Sequence, residues 1–204
     1  MGMGFSRRAL LARGGTGAAA LLGGSALGSL APSASAAPTG DTPSDGDLAY
    51  ARLLVAVELL AIDFYDNAID SKHFTGAAFA NLRKARADEK RHYDAVAAIL
   101  MDAGQTPATA DDIDFSYPRA AWVKRGSVAR LGSRLEALFL GAYLGAVDGF
   151  DADAYTQLAA RAAASEAQHL SVLSAAAGGS RLGSALPRPL TIDRVSDALD
   201  VYTS

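Results

Sequence analysis

The chain has 204 residues, half of them hydrophobic and a fifth charged, with a formal net charge of −3 at pH 7. It has no cysteine, which excludes disulfides and thiolate metal centres such as a rubredoxin-type site. No basic tract is present, so nucleic acid is not an expected partner.

Residues 1–36 read as an export signal. Ser6-Arg7-Arg8-Ala9-Leu10-Leu11 is a twin-arginine pattern, a weakly apolar Gly/Ala/Leu stretch follows, and Ala34-Ser35-Ala36 supplies a small-x-small cleavage site. The alternative is a retained membrane anchor, against which Arg13 and the Ala/Gly-rich composition both weigh. Cleavage after Ala36 would leave 168 residues, the size of one domain, and would remove Arg7, Arg8 and Arg13 but no acid, giving a net charge of −6. The expected partner during export is the twin-arginine translocase, and the expected destination is the periplasm, cell surface or extracellular space. That route moves folded proteins.

Residues 37–45 read as a flexible leader rich in Pro, Gly, Asp and Ser. Four proline-free, Ala- and Leu-rich segments then predict helices over about 46–70, 76–103, 127–148 and 152–177, with Ser44 or Asp45, and Thr75, as N-caps of the first two. The fold class is all-α. The link over 104–126 contains Pro107 and Pro118 and is long enough to run the length of a bundle, so two antiparallel hairpins joined by a crossover are expected. In the tail, 179–204, Pro187 and Pro189 break the chain and 192–202 could form one short helix docked on the bundle or on another subunit.

Glutamate and histidine placement carries the chemistry. The only four glutamates are Glu58, Glu89, Glu136 and Glu166, although eighteen aspartates are present. Two of the three histidines, His92 and His169, follow a glutamate by three residues, so the chain reads Glu, Glu-x-x-His, Glu, Glu-x-x-His. The i, i+3 spacing puts each Glu and His on one helix face. The midpoints of the two halves fall in the 71–75 link and at the 149–151 turn, so each lone Glu should meet its Glu-x-x-His across a hairpin. Glu58 and Glu136 lie in apolar segments without nearby basic residues, where a buried unpaired carboxylate would be costly and a divalent cation would compensate it. Four carboxylates and two imidazoles suit two iron or manganese ions better than a structural zinc.

This pattern resembles the ferritin-like di-iron carboxylate superfamily over residues 46–178, and its ligand set is most similar to bacterioferritin-type centres. Among chains with twin-arginine signals it is similar to exported ferritin-like domain proteins. The resemblance implies a four-helix bundle in which Glu58 and Glu136 are terminal ligands, Glu89 and Glu166 bridge, and His92 and His169 each bind one metal. Tyr65 and Tyr143 each follow a lone glutamate by seven residues. The resemblance implies that such a tyrosine can bond a ligand carboxylate or donate an electron; for Tyr143 a plain core role is an equal reading. Asp88-Glu89-x-Arg91-His92 matches a motif of di-iron oxygenases, which implies Asp88 as an acceptor for His169. Lys90 stands where bacterioferritin has its haem-ligating methionine, so haem is not expected. Phe139 stands where rubrerythrin-type peroxidases carry an extra carboxylate. His73 is expected as a solvated loop residue. The functional expectation is an oxidoreductase acting on Fe(II) with O2 or peroxide; the alternative is a metal-loaded, non-catalytic envelope, stress or binding protein. An oligomer is left open.

Overall fold

The computed structural model describes residues 42–203. The expected export signal and the start of the leader lie outside the described residues. Among those described, no helix is long and apolar enough to cross a membrane.

The described residues form five α-helices: α1 (Asp45–Asp70), α2 (Gly76–Asp102), α3 (Arg125–Gly149), α4 (Asp153–Ala176) and the short α5 (Ile192–Leu199). The described residues contain no strand, only an isolated bridge between Phe115 and Thr203. The all-α, four-helix reading therefore holds. Two short 3-10 helices, Ala110–Asp112 and Arg119–Trp122, interrupt the crossover.

Helix ends follow local chemistry. Ser44 Oγ accepts from the Asp47 backbone N–H and Asp47 Oδ2 accepts from the Ser44 N–H, each at 3.0 Å, forming a capping box. The same residues hold the α3–α4 turn: Ser44 Oγ donates to Asp151 Oδ2 at 2.6 Å and Asp47 Oδ1 accepts from the Asp151 N–H at 2.8 Å. Thr75 is the N-cap of α2, but its side chain makes no capping bond. Gly104 ends α2 with φ +71°, and Gln105 N–H reaches back to the Leu100 carbonyl at 2.8 Å; only a residue without Cβ enters that left-handed geometry cheaply.

The contacts at the ends give the topology. The start of α1 meets the α3–α4 turn, while the α1–α2 turn meets the residues just before α3, where His73 Nε2 lies 2.8 Å from the Trp122 carbonyl. His73 was expected to be solvated; it is instead half-buried and bonded across the bundle end, because the crossover returns there. Helices α1 and α4 thus run one way and α2 and α3 the other, as a long crossover requires. Phe64 packs over Gly132, where an added Cβ would come within 2.4 Å of its ring.

The tail docks on the bundle. Leu190 N–H donates to the Gly141 carbonyl at 2.8 Å, and a Cβ at Gly145 would sit 1.9 Å from the Leu190 carbonyl oxygen. Beyond it, α5 buries Val195 and Leu199, and Tyr202 accepts at its carbonyl from Ser116 N–H at 2.8 Å. The tail and the crossover are therefore laced together over the first and third helices.

Candidate metal centre

All four glutamates are buried in the middle of the bundle: Glu58 is 1 % exposed, and Glu89, Glu136 and Glu166 are 0 % exposed. Each of the four long helices contributes one. His92 on α2 and His169 on α4 point into the same volume through Nδ1, while Lys90 and Arg91 turn to solvent.

The six side chains form two overlapping groups. Glu58, Glu89, His92 and Glu166 make one, and Glu89, Glu136, Glu166 and His169 make the other; within each, one ligand atom per residue lies within 4.8 Å of all the rest. Glu89 and Glu166 belong to both groups, and the other four residues to one each. Each hairpin thus supplies three members of one group and lends its second glutamate to the other. His92 Nδ1 is 2.9 Å from Glu166 Oε1, and His169 Nδ1 is 2.9 Å from Glu89 Oε1, so the imidazoles reach across to the opposite hairpin.

Unused lone pairs converge on this volume. Glu58 Oε2, Glu89 Oε1, Glu136 Oε2, both Glu166 oxygens and His169 Nδ1 are buried without a hydrogen bond, the 2.9 Å imidazole approaches being poorly aligned for one. Buried polar atoms normally find partners, and six in one volume form a donor set that could hold a cation. Among the described residues the ion-pair partners of these carboxylates are the two imidazoles.

Electrostatics tell the same story. Burial pushes the Glu58 carboxyl well above its usual range, and the Glu89 and Glu166 charges add to the rise. Burial also raises Glu136, with Glu166 and Glu89 adding to it. Burial alone would lower His92, yet the Glu166 and Glu89 carboxylates beside it prevail and raise it to about 9; His169 rises to about 10 by the same balance. Burial works against the charged form of Glu166, but His169 and His92 hold it below the ordinary carboxylate value. Without metal the cluster neutralises itself by binding protons, which a cation would displace.

Two tyrosines close the site. Tyr143 of α3 donates to Glu58 Oε1 of α1, and Tyr65 of α1 donates to Glu136 Oε1 of α3. Both rings are buried. Their partners lie on the opposite hairpin, which i, i+7 spacing along one helix could not reveal. Asp88 Oδ2 lies 3.6 Å from His169 Nε2, and Ser165 Oγ is 3.5 Å from the same nitrogen. Asp88 also binds Lys84 and Arg91.

A cleft of about 400 Å³ between α2 and α4 is walled by His92, His169 and Tyr65 on the inside, and by Asn81, Lys84 and Gln168 among its outer residues. Asn81 and Lys84 were not singled out from the sequence; they fall on the face of Asp88 by helical spacing, a signal that was present.

The sequence model of the ferritin-like domain family matches residues 46–179. The chain belongs to this family. Comparison with curated proteins finds no match. The ferritin-like domain spans all four long helices, and its buried Glu/His cluster is compatible with a di-iron site.

Proposed function

We propose that this ferritin-like protein holds two iron ions, or two manganese ions, at the six-residue cluster and is an oxidoreductase acting on Fe(II) with O2 or peroxide. The observation that carries the reading is the pair of four-ligand groups sharing Glu89 and Glu166, each containing one histidine. Glu58 and His92 would hold one ion, Glu136 and His169 the other, and the shared glutamates both. Such a pair of ions supplies electrons to a small oxidant.

The chain's own residues set the conditions. Tyr143 and Tyr65 each occupy one oxygen of a terminal carboxylate, leaving Oε2 of Glu58 and of Glu136 to turn inward. Asp88 and Ser165 flank His169 Nε2, orienting the ring so that Nδ1 faces the carboxylates. The cleft between α2 and α4 gives a small oxidant a path to the imidazole side. Export by the twin-arginine pathway, from the pattern in residues 1–36, belongs to the same proposal.

Metal content by mass spectrometry, followed by Fe(II) oxidation with O2 or peroxide, tests it. About two metal ions per chain and turnover that vanishes in Glu58→Ala and Glu136→Ala support the reading. Metal without turnover under either oxidant would leave a non-catalytic, metal-loaded bundle in its place.

A further inference from the structure

A file of aromatic rings leads from the cluster to the surface. Tyr65 lies with its ring centroid 6.1 Å from that of His169. Phe64 follows at 5.2 Å from Tyr65, Trp122 at 6.0 Å from Phe64, Tyr117 at 5.4 Å from Trp122, and Tyr202 at 5.8 Å from Tyr117. Tyr65 and Phe64 are fully buried, whereas Trp122, Tyr117 and Tyr202 are half-exposed.

Three separate parts of the chain build this file. The first helix provides Phe64 and Tyr65, the crossover provides Tyr117 and Trp122, and the tail provides Tyr202. The backbone that carries two of the outer rings is anchored: the Trp122 carbonyl is held by His73, and the Tyr202 carbonyl by Ser116 N–H. Tyr117 donates its phenolic hydrogen to Asp63 Oδ2 at 2.7 Å. A phenol loses its proton when it loses an electron, so a carboxylate at hydrogen-bond distance makes Tyr117 a competent one-electron carrier. Among the described residues the other half of the bundle has no equivalent. Tyr143 mirrors Tyr65, but among the described residues its ring contact is His92, at 5.9 Å, and no file of rings leads on to the surface.

We propose that Tyr202, Tyr117, Trp122 and Tyr65, with Phe64 as the coupling ring between the last two, form a one-way electron relay from a soluble one-electron reductant at the tail–crossover surface to the buried centre. This inference rests on the redox-metal reading above. Each reductant molecule gives up one electron to the outer rings. Each carrier ring is oxidised by its inward neighbour and re-reduced from outside; Tyr117 passes its proton to Asp63, Tyr65 to Glu136 and the part-exposed Tyr202 to solvent, and each recovers it in the cycle. Two such electrons and two protons from solvent convert one hydrogen peroxide to two waters at the inner end. Two reductant molecules are oxidised.

Trp122 is the sole tryptophan of the chain, which makes the relay directly observable. In the metal-free full chain, azide radicals generated by pulse radiolysis oxidise the indole, and its radical absorption is followed in time. The expected result is first-order conversion into a tyrosyl radical, independent of protein concentration and slowed about tenfold in Tyr117→Phe. Tyr155→Phe, at the far end of the bundle, should leave the rate unchanged. A Trp122 radical that decays at the same rate in wild type and Tyr117→Phe overturns the relay.

The iron-loaded chain gives the second readout, with ferrocyanide as reductant and hydrogen peroxide as oxidant. Trp122→Phe should slow ferrocyanide oxidation about tenfold while the single-turnover oxidation of bound Fe(II) stays at the wild-type rate. Equal ferrocyanide rates overturn electron delivery while leaving the metal reading intact. A wild-type chain that binds Fe(II) but oxidises neither it nor ferrocyanide overturns the redox reading, and with it delivery to the centre, even where radiolysis shows migration among the rings.

Discussion

Tyr65 on the first helix donates its phenolic hydrogen to Glu136 on the third, and thereby leaves Glu136 Oε2 as a buried oxygen without a partner. Tyr143 does the same to Glu58 in the opposite direction. The two bonds tie the hairpins together at the level of the cluster and leave one buried oxygen of each carboxylate without a partner. Both the packing of the bundle and the donor set of the site depend on them.

Replacing Tyr65 by Phe keeps the ring and removes only the donor. Glu136 then loses the hydrogen bond from the phenol in a fully buried setting, at a cost of about 1–3 kcal/mol. Urea unfolding of the metal-free Tyr65→Phe chain should show a lower midpoint with an unchanged slope. Tyr143→Phe should match it through Glu58.

Shared and unshared ligands should differ in metal count. Glu58→Ala removes a member of one group, so about one ion per chain should remain; Glu166→Ala removes a member of both, so less than one should remain. Mass spectrometry of chains loaded with Fe(II) or Mn(II) decides. Equal losses in the two variants would show that Glu166 is not shared.

The metal-free fold should weaken as pH rises. His92 and His169 have folded values of about 9 and about 10 against 6.5, so their contribution is complete below pH 6.5 and is lost as pH climbs through 9 to 10. Glu58 and Glu136, raised above 4.5, act in the same sense, because the unfolded chain ionises first and the folded state is penalised above that pH. Glu166, held low, opposes them only below 4.5. Denaturant midpoints in chelator should therefore fall between pH 6.5 and pH 9, and metal addition near neutrality should release protons to a pH indicator. A rising midpoint, or metal uptake without proton release, contradicts this account.

Asp88→Ala should weaken metal binding without abolishing it. His169 Nε2 would keep Ser165 but lose the carboxylate 3.6 Å away, and second-layer losses of this kind cost about 10- to 100-fold in affinity. Competition with a colorimetric chelator measures it. Affinity equal to wild type would assign Asp88 to its Lys84 and Arg91 pairs alone.

Gly145→Val tests the docked tail. The new side chain would meet backbone at Leu190, where the carbonyl oxygen lies 1.9 Å from the Cβ position, and a clash with backbone has no rotamer escape. Limited proteolysis should cut the tail between Gly179 and Thr191 faster than in wild type. Thermal stability should fall by about 1–3 kcal/mol.

Much of this was readable in one dimension. Helix lengths follow from proline-free Ala/Leu runs, and hairpin partners follow from equal distances to a turn, because an antiparallel pair sets residues at one height. The Glu-x-x-His repeat needs only i, i+3 geometry to put its side chains on one face. His73 reads as a solvated loop residue in the sequence because its partner, the Trp122 carbonyl, is 49 residues away and is brought there by the path of the crossover.

By itself, then, the sequence determined the local quantities: the all-α class, the helices, and the two halves of the Glu/His pattern, each set by spacings of one turn or one hairpin. Only the tertiary structure decided how the halves engage. Which glutamates are common to both groups depends on the crossing of α1, α2, α3 and α4, and no short-range rule encodes it. The exchange of tyrosines between hairpins, the seat of the tail on Gly141 and Gly145, and the file of rings from Tyr65 to Tyr202 have the same origin. Each joins segments tens of residues apart, and such contacts are selected by packing of the whole core rather than by the preferences of any one stretch.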